Sequence, residues 1–267
     1  MAIDTGTQLR TLYESEGGVA NVFSGKVADY VASRPNYPDA LFEELKLACD
    51  LGPGSLVADV GAGTGLLTHG LLVRGYSVVA VEPNHAMREA ANRLLAAFAG
   101  YRGVDGSAER IPLGDSSFDL VTAAHAFHWF AVEAARAECL RVLRPGGQIA
   151  LIWNDRLESD PFNKSLDRVL SDYGGAKRVA VSPQEERANL PAFFGKTKPR
   201  ECSWPHSHTI DEDGLLSLVF SRSYMPTRNS VAGTEVTIKL RELYRRFSTD
   251  GGLLVRYTTV AYIGRPS

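Results

Sequence analysis

Three glycines alternate with other residues where an apolar run gives way to an amphipathic one. Leu56–Val60 predicts a buried strand, and the residues that follow it are Gly61, Ala62, Gly63, Thr64 and Gly65. A helix that starts next would direct backbone N–H groups and the positive end of its dipole at a ligand. Because glycine has no Cβ atom, the ligand can approach the main chain closely. The pattern therefore predicts a loop that holds a nucleotide-like ligand.

Two acids and one missing glycine indicate which nucleotide this is. A dinucleotide-binding loop needs its third glycine at position 66, which is Leu66 here. Asp59 would repel a pyrophosphate but suits a cationic amino group, reached directly or through water. The alternative is a structural carboxylate that caps loop amides. Glu82 ends the next apolar run, where a ribose diol is commonly held. A nucleoside joined to a cationic amino acid is S-adenosylmethionine (SAM).

Several stretches resemble, in order, the successive motifs of class I SAM-dependent methyltransferases over about residues 22–155; these are Asp59–Gly65, Glu82, Leu113–Asp119 and Leu143–Gly147. Tyr30–Pro38 and Ala126–Phe130 are similar to the small-molecule branch that includes trans-aconitate methyltransferase-like proteins. The resemblance implies an α/β fold: a Rossmann-like, doubly wound sheet of seven strands in the order 3-2-1-4-5-7-6, the last antiparallel. It also implies a cap insertion that covers the substrate.

Alternating strand and helix patterns support this architecture. Strands are predicted at 56–60, 77–81, 101–105, 118–123 and 148–153, and helices at 39–48, 65–74, 84–99 and 131–143. Beyond them we expect helices near 162–173, 211–221 and 234–247 and strands near 198–208 and 254–263. The predicted organisation is an N-terminal lid segment (1–38), a SAM-binding core (39–155), a substrate cap with one sheet strand (156–230) and a C-terminal helix and edge strand (231–267).

The predicted cofactor site extends beyond the two acids. Pro35 holds the chain at Arg34 in an extended or turn conformation, so that the guanidinium can pair with the SAM carboxylate, or else anchor a surface loop. Tyr30 is expected either to close over the sulfonium or to pack under the lid. The loop after the third strand is predicted to hold adenine, with Ser107 where the family often has an acid. The full set of further predicted contacts is Gly61, Ala62, Gly63, Gly65, Pro83, Met87, Ala108, Glu109, Ala124 and His125.

Two histidines after the fourth strand are candidates for catalysis. His125 or His128 could remove a proton from an acceptor, and the alternative for each is a structural imidazole bonded to the backbone. Methyl transfer requires alignment and water exclusion, and a base only if the acceptor is a hydroxyl or an amine. Residues predicted to contact the acceptor are Trp129, Asn154, Tyr173, Ser221, Ser223 and Tyr224, the last three within the polar stretch Ser221–Tyr224.

Composition excludes some classes of function. The chain has 267 residues, 44% hydrophobic and 22% charged, with a formal net charge of −2 and no basic block, so we expect no nucleic-acid partner. No run is long enough to span a membrane, and the start lacks a signal-peptide pattern, so a cytoplasmic protein without a membrane partner is expected. Three scattered cysteines are expected to be reduced. His206 and His208 have metal-ligand spacing but no third ligand, so no metal is predicted.

The sequence predicts a monomer or weak dimer that transfers a methyl group from SAM to O, N or C of a small-molecule metabolite by direct in-line displacement. Two alternatives stay open. One is an enzyme that uses SAM itself as the substrate of a cyclisation or elimination and releases methylthioadenosine. The other is a noncatalytic protein that binds SAM.

Overall fold

The computed structural model describes residues 9, 11–14, 18 and 21–267. Part of the predicted N-terminal lid, residues 1–38, therefore lies outside the described residues. Within residues 21–267, helices α1, Val27–Ser33, and α2, Asp39–Ala48, precede the sheet. Pro38 precedes α2 in an extended conformation, as expected of a residue that starts a helix.

A mixed sheet of seven strands forms the centre of the molecule. The strands are β1 Leu56–Val60, β2 Ser77–Val81, β3 Tyr101–Val104, β4 Phe118–Ala124, β5 Leu143–Arg156, β6 Arg200–Ile210 and β7 Leu253–Gly264. Their order is β3-β2-β1-β4-β5-β7-β6, which confirms the predicted order. The first five strands pair in parallel, whereas β7 pairs antiparallel with both β5 and β6.

Helices cover both faces of the sheet and build the cap. They are α3 Leu66–Val73, α4 His85–Leu95, α5 Val132–Val142, α6 Pro161–Ala180, α7 Pro183–Arg187, α8 Leu190–Phe194, α9 Glu212–Phe220 and α10 Val231–Phe247, with a 3₁₀ turn at Phe127–Trp129. Among the helices of the described part, none is long and apolar enough to cross a membrane.

Strand order reverses between β1 and β4, because the chain leaves β1 toward β2 and β3 and then returns to the other side. In an open parallel sheet, ligands bind at such a reversal beyond the carboxyl ends of the strands. The glycine loop follows β1 and His125 follows β4, so both lie at this edge.

The three largest of the four hydrophobic clusters among the described residues pack the helices against the sheet. On one face of the sheet, Trp153 packs with Phe127 of the 3₁₀ turn and with residues of α5 and α8, which include Phe193. The opposite face packs against α2 and α3 through residues that include Phe42 and Leu71. A third cluster, called the cap cluster below, joins α6 and α9 of the predicted cap to α10 and to the first half of β7.

The largest differences from the predicted element boundaries are in β5 and α6. β5 begins at Leu143 rather than at residue 148, because Leu143 already pairs with Phe118 before a register shift leads to Gln148. The predicted end of α6 near Gly174 is too early: the helix runs to Ala180 across a break at Gly175, where φ is 53° and ψ is −148°. The short helices α7 and α8 were not predicted.

Candidate active site

The glycine loop is shaped by backbone conformations that favour glycine. Gly61 and Gly63 have φ of +70° and +58°. A Cβ atom on Gly61 would lie 2.5 Å from the Cβ of Ala126, whereas a Cβ on Gly63 would meet no heavy atom within 4 Å. Gly61 is therefore required for packing, and the space above Gly63 is open for a ligand.

Four of the five amides of residues 61–65 are bonded within the protein. Gly61 and Ala62 both donate to the Val81 carbonyl, at 2.8 and 3.2 Å, and Gly65 donates to Ala62 at 2.9 Å. The Gly63 amide donates to the Glu82 carboxylate at 2.8 Å. A pyrophosphate needs free N–H groups and no nearby carboxylate. The loop therefore offers shape rather than an anion-binding nest, which agrees with a ligand that carries no phosphate.

Glu82 occupies the predicted position at the end of β2. Its second carboxylate oxygen accepts from the Asn84 amide at 2.8 Å, and the residue is buried. Burial raises the pKa of Glu82, while the bonds from Asn84 and Gly63 act in the opposite direction. A carboxylate fixed by two amides is a rigid acceptor for the paired hydroxyls of a ribose.

Asp59 is enclosed by hydroxyl groups. Its two oxygens accept from Thr68 Oγ1 at 2.6 Å and Thr122 Oγ1 at 2.8 Å. Burial raises the pKa of Asp59, and the two hydroxyl bonds partly offset this. The carboxylate thus ties β1 to β4 and α3. This arrangement favours the structural alternative for Asp59, although the partners are hydroxyls rather than loop amides, and contact with an amino group stays a prediction.

A cavity of about 910 Å³ lies between the ends of β4 and β5 and the cap. It begins near Leu66, directly after the glycine loop, and extends to α6, α7 and the residues after α9. Eight predicted site residues line it: Tyr30, Arg34, His125, His128, Trp129, Asn154, Ser223 and Tyr224. The structure thus brings together residues from the N-terminal segment, the core and the cap.

Arg34 contributes a positive charge to this cavity. Its guanidinium lies over the Tyr30 ring, 4.4 Å from the ring centroid, and its buried Nε has no hydrogen-bond partner. Among the described residues, no carboxylate lies within salt-bridge distance of it. Burial lowers the pKa of Arg34. An enclosed cation without an anion fits the carboxylate of a bound SAM.

His125 is held in an unusual position. It has φ of +52°, and its Nε2 accepts from the Asn154 backbone amide at 2.7 Å. The ring therefore accepts a hydrogen bond from β5, and the proton of the neutral imidazole lies on Nδ1. With the Nε2 lone pair already used, His125 is poorly suited to act as a base, as the structural alternative anticipated. Its contact with the cofactor stays a prediction.

His128 has a partner that sequence reasoning missed. Its Nδ1 lies 3.3 Å from Glu186 Oε1 on α7, and both residues line the cavity. Burial lowers the pKa of His128 to about 3 and raises that of Glu186 to about 8. The pair is therefore largely uncharged at neutral pH. The Ser182-Pro183 start of α7 is the only sequence signal that could have located this acid.

The residues predicted to surround adenine lie in different environments. Ser107 bridges to Arg110, and Ala108 is buried. Glu109 Oε1 accepts from the Ala131 amide at 2.7 Å, so this carboxylate caps α5. Met87 is buried on α4, Pro83 precedes that helix, and Ala124 ends β4. None of these residues lines the cavity, so their contact with adenine stays a prediction.

Two predicted acceptor contacts lie elsewhere. Tyr173 donates its hydroxyl to Glu235 on α10 at 3.0 Å, and the buried Ser221 hydroxyl bonds the Leu218 carbonyl at 3.0 Å. Neither residue lines the cavity: Tyr173 reaches α10, and Ser221 bonds back to its own helix α9. Asn154 does line it, although its Oδ1 already accepts from Thr259 at 2.6 Å.

His206 also contacts the Asn154 side chain, with its Nε2 3.2 Å from Oδ1. It stacks on Tyr257 at a centroid distance of 5.4 Å. Within the described residues, no group of three or more His, Cys, Asp or Glu side chains is arranged to hold a metal ion.

A Rossmann-like sheet with this strand order and this strand-end cavity defines the class I methyltransferase fold. The family model described as a methyltransferase domain matches residues 58–151. An uncharacterised methyltransferase of Mycobacterium tuberculosis is 34% identical over 241 residues, covering 89% of this chain and 93% of the relative. An uncharacterised methyltransferase-like protein of Schizosaccharomyces pombe is 30% identical over 90% of this chain and 93% of its own.

A solved structure of a methyltransferase from Anaeromyxobacter dehalogenans, described as putative type II, has a TM-score of 0.60 and 25% identity. It covers 87% of this chain and 97% of its own. The family model, the two relatives and this solved structure all agree. The chain belongs to the class I SAM-dependent methyltransferase family.

Proposed function

We propose that this enzyme transfers a methyl group from SAM to a small-molecule acceptor enclosed between the core and the cap. The observation that carries the proposal is the cavity itself. It brings Arg34 and Tyr30 together with His128, Asn154 and residues of the cap around one cavity. A site built in this way suits a compact acceptor better than a polymer.

The residues present fit SAM. The open space above Gly63 accommodates a ligand at the main chain, Glu82 supplies an acceptor for ribose hydroxyls, and Arg34 supplies a cation for the methionine carboxylate. When bound, SAM supplies a methyl group that is attached to a sulfonium. Loss of this methyl group leaves a neutral thioether. The chain contributes binding, alignment and exclusion of water, for which the buried walls of the cavity are suited.

His128 is the candidate for proton removal where the acceptor needs it. Its Nδ1 faces Glu186, and its Nε2 has no hydrogen-bond partner in the described part of the chain. The unbonded Nε2 can accept a proton, although burial lowers the pKa of His128 and makes it a weak base. A carboxylate acceptor would need no such step.

Binding is tested with a matched pair of glycine variants. Gly63→Ala places a methyl group in the proposed ligand space, so SAM affinity should fall about tenfold or more, roughly 1.4 kcal/mol. Gly54→Ala is the control, because Gly54 has φ of +82° and a Cβ there would also meet nothing within 4 Å, yet it precedes β1. Calorimetry with SAM should separate the two variants, and NAD should produce no heat with either or with the wild type. Equal loss in both variants would contradict the assignment.

Product analysis tests the reaction. Incubation with SAM and candidate metabolites should release S-adenosylhomocysteine, and only when an acceptor is present. Methylthioadenosine formed from SAM alone would instead show that SAM is the sole substrate. Tight binding without either product would indicate a noncatalytic protein.

A further inference from the structure

Two arginines face the cavity without an anionic partner. Arg34 is one; the other is Arg222, which follows α9 and is partly buried. The Nε of Arg222 is buried and unbonded, and among the described residues neither a carboxylate nor a carbonyl accepts from its guanidinium. Enclosed guanidinium groups normally pair with carboxylates or other acceptors. The cavity therefore holds more positive charge than its walls neutralise.

The acids of the cavity do not supply the missing charge. Asp167 pairs with both Arg156, at 3.1 Å, and Arg178. Asp155 pairs with Arg187 at 2.7 Å, and Glu186 faces His128. Glu158 lies at the exposed rim. Each enclosed acid is already engaged, so an anion for Arg222 must come from a ligand.

An unpartnered hydroxyl lies in the same wall. Tyr257 on β7 is 3% exposed, lines the cavity, and its buried hydroxyl has no hydrogen-bond partner. Arg222 and Tyr257 line the same cavity. Burial raises the pKa of Tyr257, and the charges of Arg222, Arg156 and Arg34 act in the opposite direction. A neutral hydroxyl beside a guanidinium provides two kinds of donor for one oxyanion.

We propose that Arg222 and Tyr257 form an oxyanion-binding subsite for the methyl acceptor, which therefore carries a carboxylate or a phosphate group. The inference rests on the proposed function. SAM has a single carboxylate, which Arg34 would bind, so the second unpaired guanidinium is left for the acceptor. The anionic group need not be the methylated atom; its role is to anchor the acceptor.

The test uses the protein saturated with S-adenosylhomocysteine at constant ionic strength. The probes are benzoate with benzamide, succinate with succinamide, and phenyl phosphate with phenol. Anions should raise the unfolding temperature by mass action, whereas their neutral counterparts should not. The carboxylate and phosphate arms show which oxyanion is preferred. Any acid that also accepts a methyl group gives a KM as a second readout.

Variants locate the effect. Arg222→Ala should weaken anion binding about 10- to 100-fold, as expected for loss of a charged hydrogen bond. Arg222→Lys should restore part of it, and Tyr257→Phe should weaken it less. Arg168→Ala is the control, because Arg168 also lines the cavity but is exposed. Affinity for S-adenosylhomocysteine should be unchanged in all four variants.

Several results would overturn the inference. One is equal stabilisation by amides and acids, and another is the absence of stabilisation by every anion across the millimolar range. A third is an Arg222→Ala variant that loses affinity for S-adenosylhomocysteine instead, since Arg222 would then belong to the donor site. In each case SAM binding by the wild-type protein would leave the proposed function standing; failure to bind SAM would remove the proposed function itself.

Discussion

The contact between Glu186 and His128 shows how burial sets protonation around the cavity. The folded pKa of Glu186 is about 8 and that of His128 is about 3, against usual values of 4.5 and 6.5. Arg187, Arg178 and Arg222 favour ionised Glu186, and Asp155 opposes it, but burial outweighs them all. Between about pH 7 and 8 the folded protein holds a proton on Glu186 that the unfolded chain has released, whereas His128 is mostly neutral in both states.

The free energy of unfolding should therefore decrease as pH rises from about 7 to 8, by less than about 1.4 kcal/mol per pH unit. Below about pH 7 the lowered pKa values of His128 and His125 act in the opposite sense, since the unfolded chain then binds the extra protons. Urea unfolding at several pH values measures the slope. Glu186→Gln should abolish the decrease above about pH 7, and Glu185→Gln, which removes an exposed acid from the same helix, should keep it. An unchanged slope in Glu186→Gln would contradict the assignment.

Asp59 allows its two interpretations to be separated. Both oxygens accept from threonine hydroxyls, so Asp59→Asn replaces one acceptor by a donor that faces Thr68 or Thr122. We expect the free energy of unfolding to fall by about 1–3 kcal/mol, the penalty of an unsatisfied buried group. SAM affinity, measured by calorimetry, should change less than about threefold, which is below the value of one hydrogen bond. A much larger loss of affinity would indicate direct contact with the SAM amino group.

Site residues at the ends of strands could be predicted, because the sequence patterns of strands and turns show where each strand ends. Glu82 and the glycine loop follow from local sequence alone. Glu186 and Tyr257 could not be predicted as site residues, because their role depends on how the cap folds over the core. The use of His125 Nε2 by the Asn154 amide is likewise a tertiary contact with no local signal.

At the scale of elements, the start of α6 fixes the cap to the sheet. Asp160 caps this helix by accepting from the Asn163 amide at 3.0 Å, and its other oxygen pairs with Arg256 on β7 at 2.7 Å. Asn163 in turn donates its side-chain amide to the Leu157 and Arg256 carbonyls, at 3.1 and 2.8 Å. The helix and the strand thus share one hydrogen-bonded junction.

Two substitutions separate the contribution of the helix cap from that of the Asp160–Arg256 ion pair. Asp160→Asn keeps an acceptor for the helix but removes the charge, so stability should fall by less than about 1 kcal/mol, since Arg256 is half exposed. Asp160→Ala removes both interactions and should cost about 1–3 kcal/mol. Chemical denaturation measures both values. If the two variants were equally unstable, the helix cap would contribute nothing.

Helix and strand boundaries in the core were predicted to within a few residues, because apolar periodicity and turn residues act locally there. Boundaries around the cap were less accurate. Gly174 and Gly175 read as a helix end, yet Gly175 alone leaves helical geometry and the chain resumes the helix beyond it. Packing of α6 against α10 and β7 overrides the weak helix propensity of glycine.

At the scale of the molecule, β7 links the cap to the core. Leu253, Val255 and Tyr257 lie in the cap cluster, and Ala261 and Ile263 lie in the cluster beneath the sheet. Every second residue of this strand is buried along its length. Since one continuous strand belongs to both clusters, the cap cannot unfold without disturbing the sheet.

A single cooperative unfolding transition is therefore expected. Leu71→Ala in the core and Leu215→Ala in the cap each remove a fully buried side chain and should cost about 2–5 kcal/mol. Trp153 belongs to the sheet, so tryptophan fluorescence reports the core, whereas far-UV circular dichroism reports all helices. Leu215→Ala should lower both midpoints equally. If it lowered only the circular dichroism midpoint, the cap would be an independent unit, and closure over the acceptor would then involve local unfolding rather than a preformed cavity.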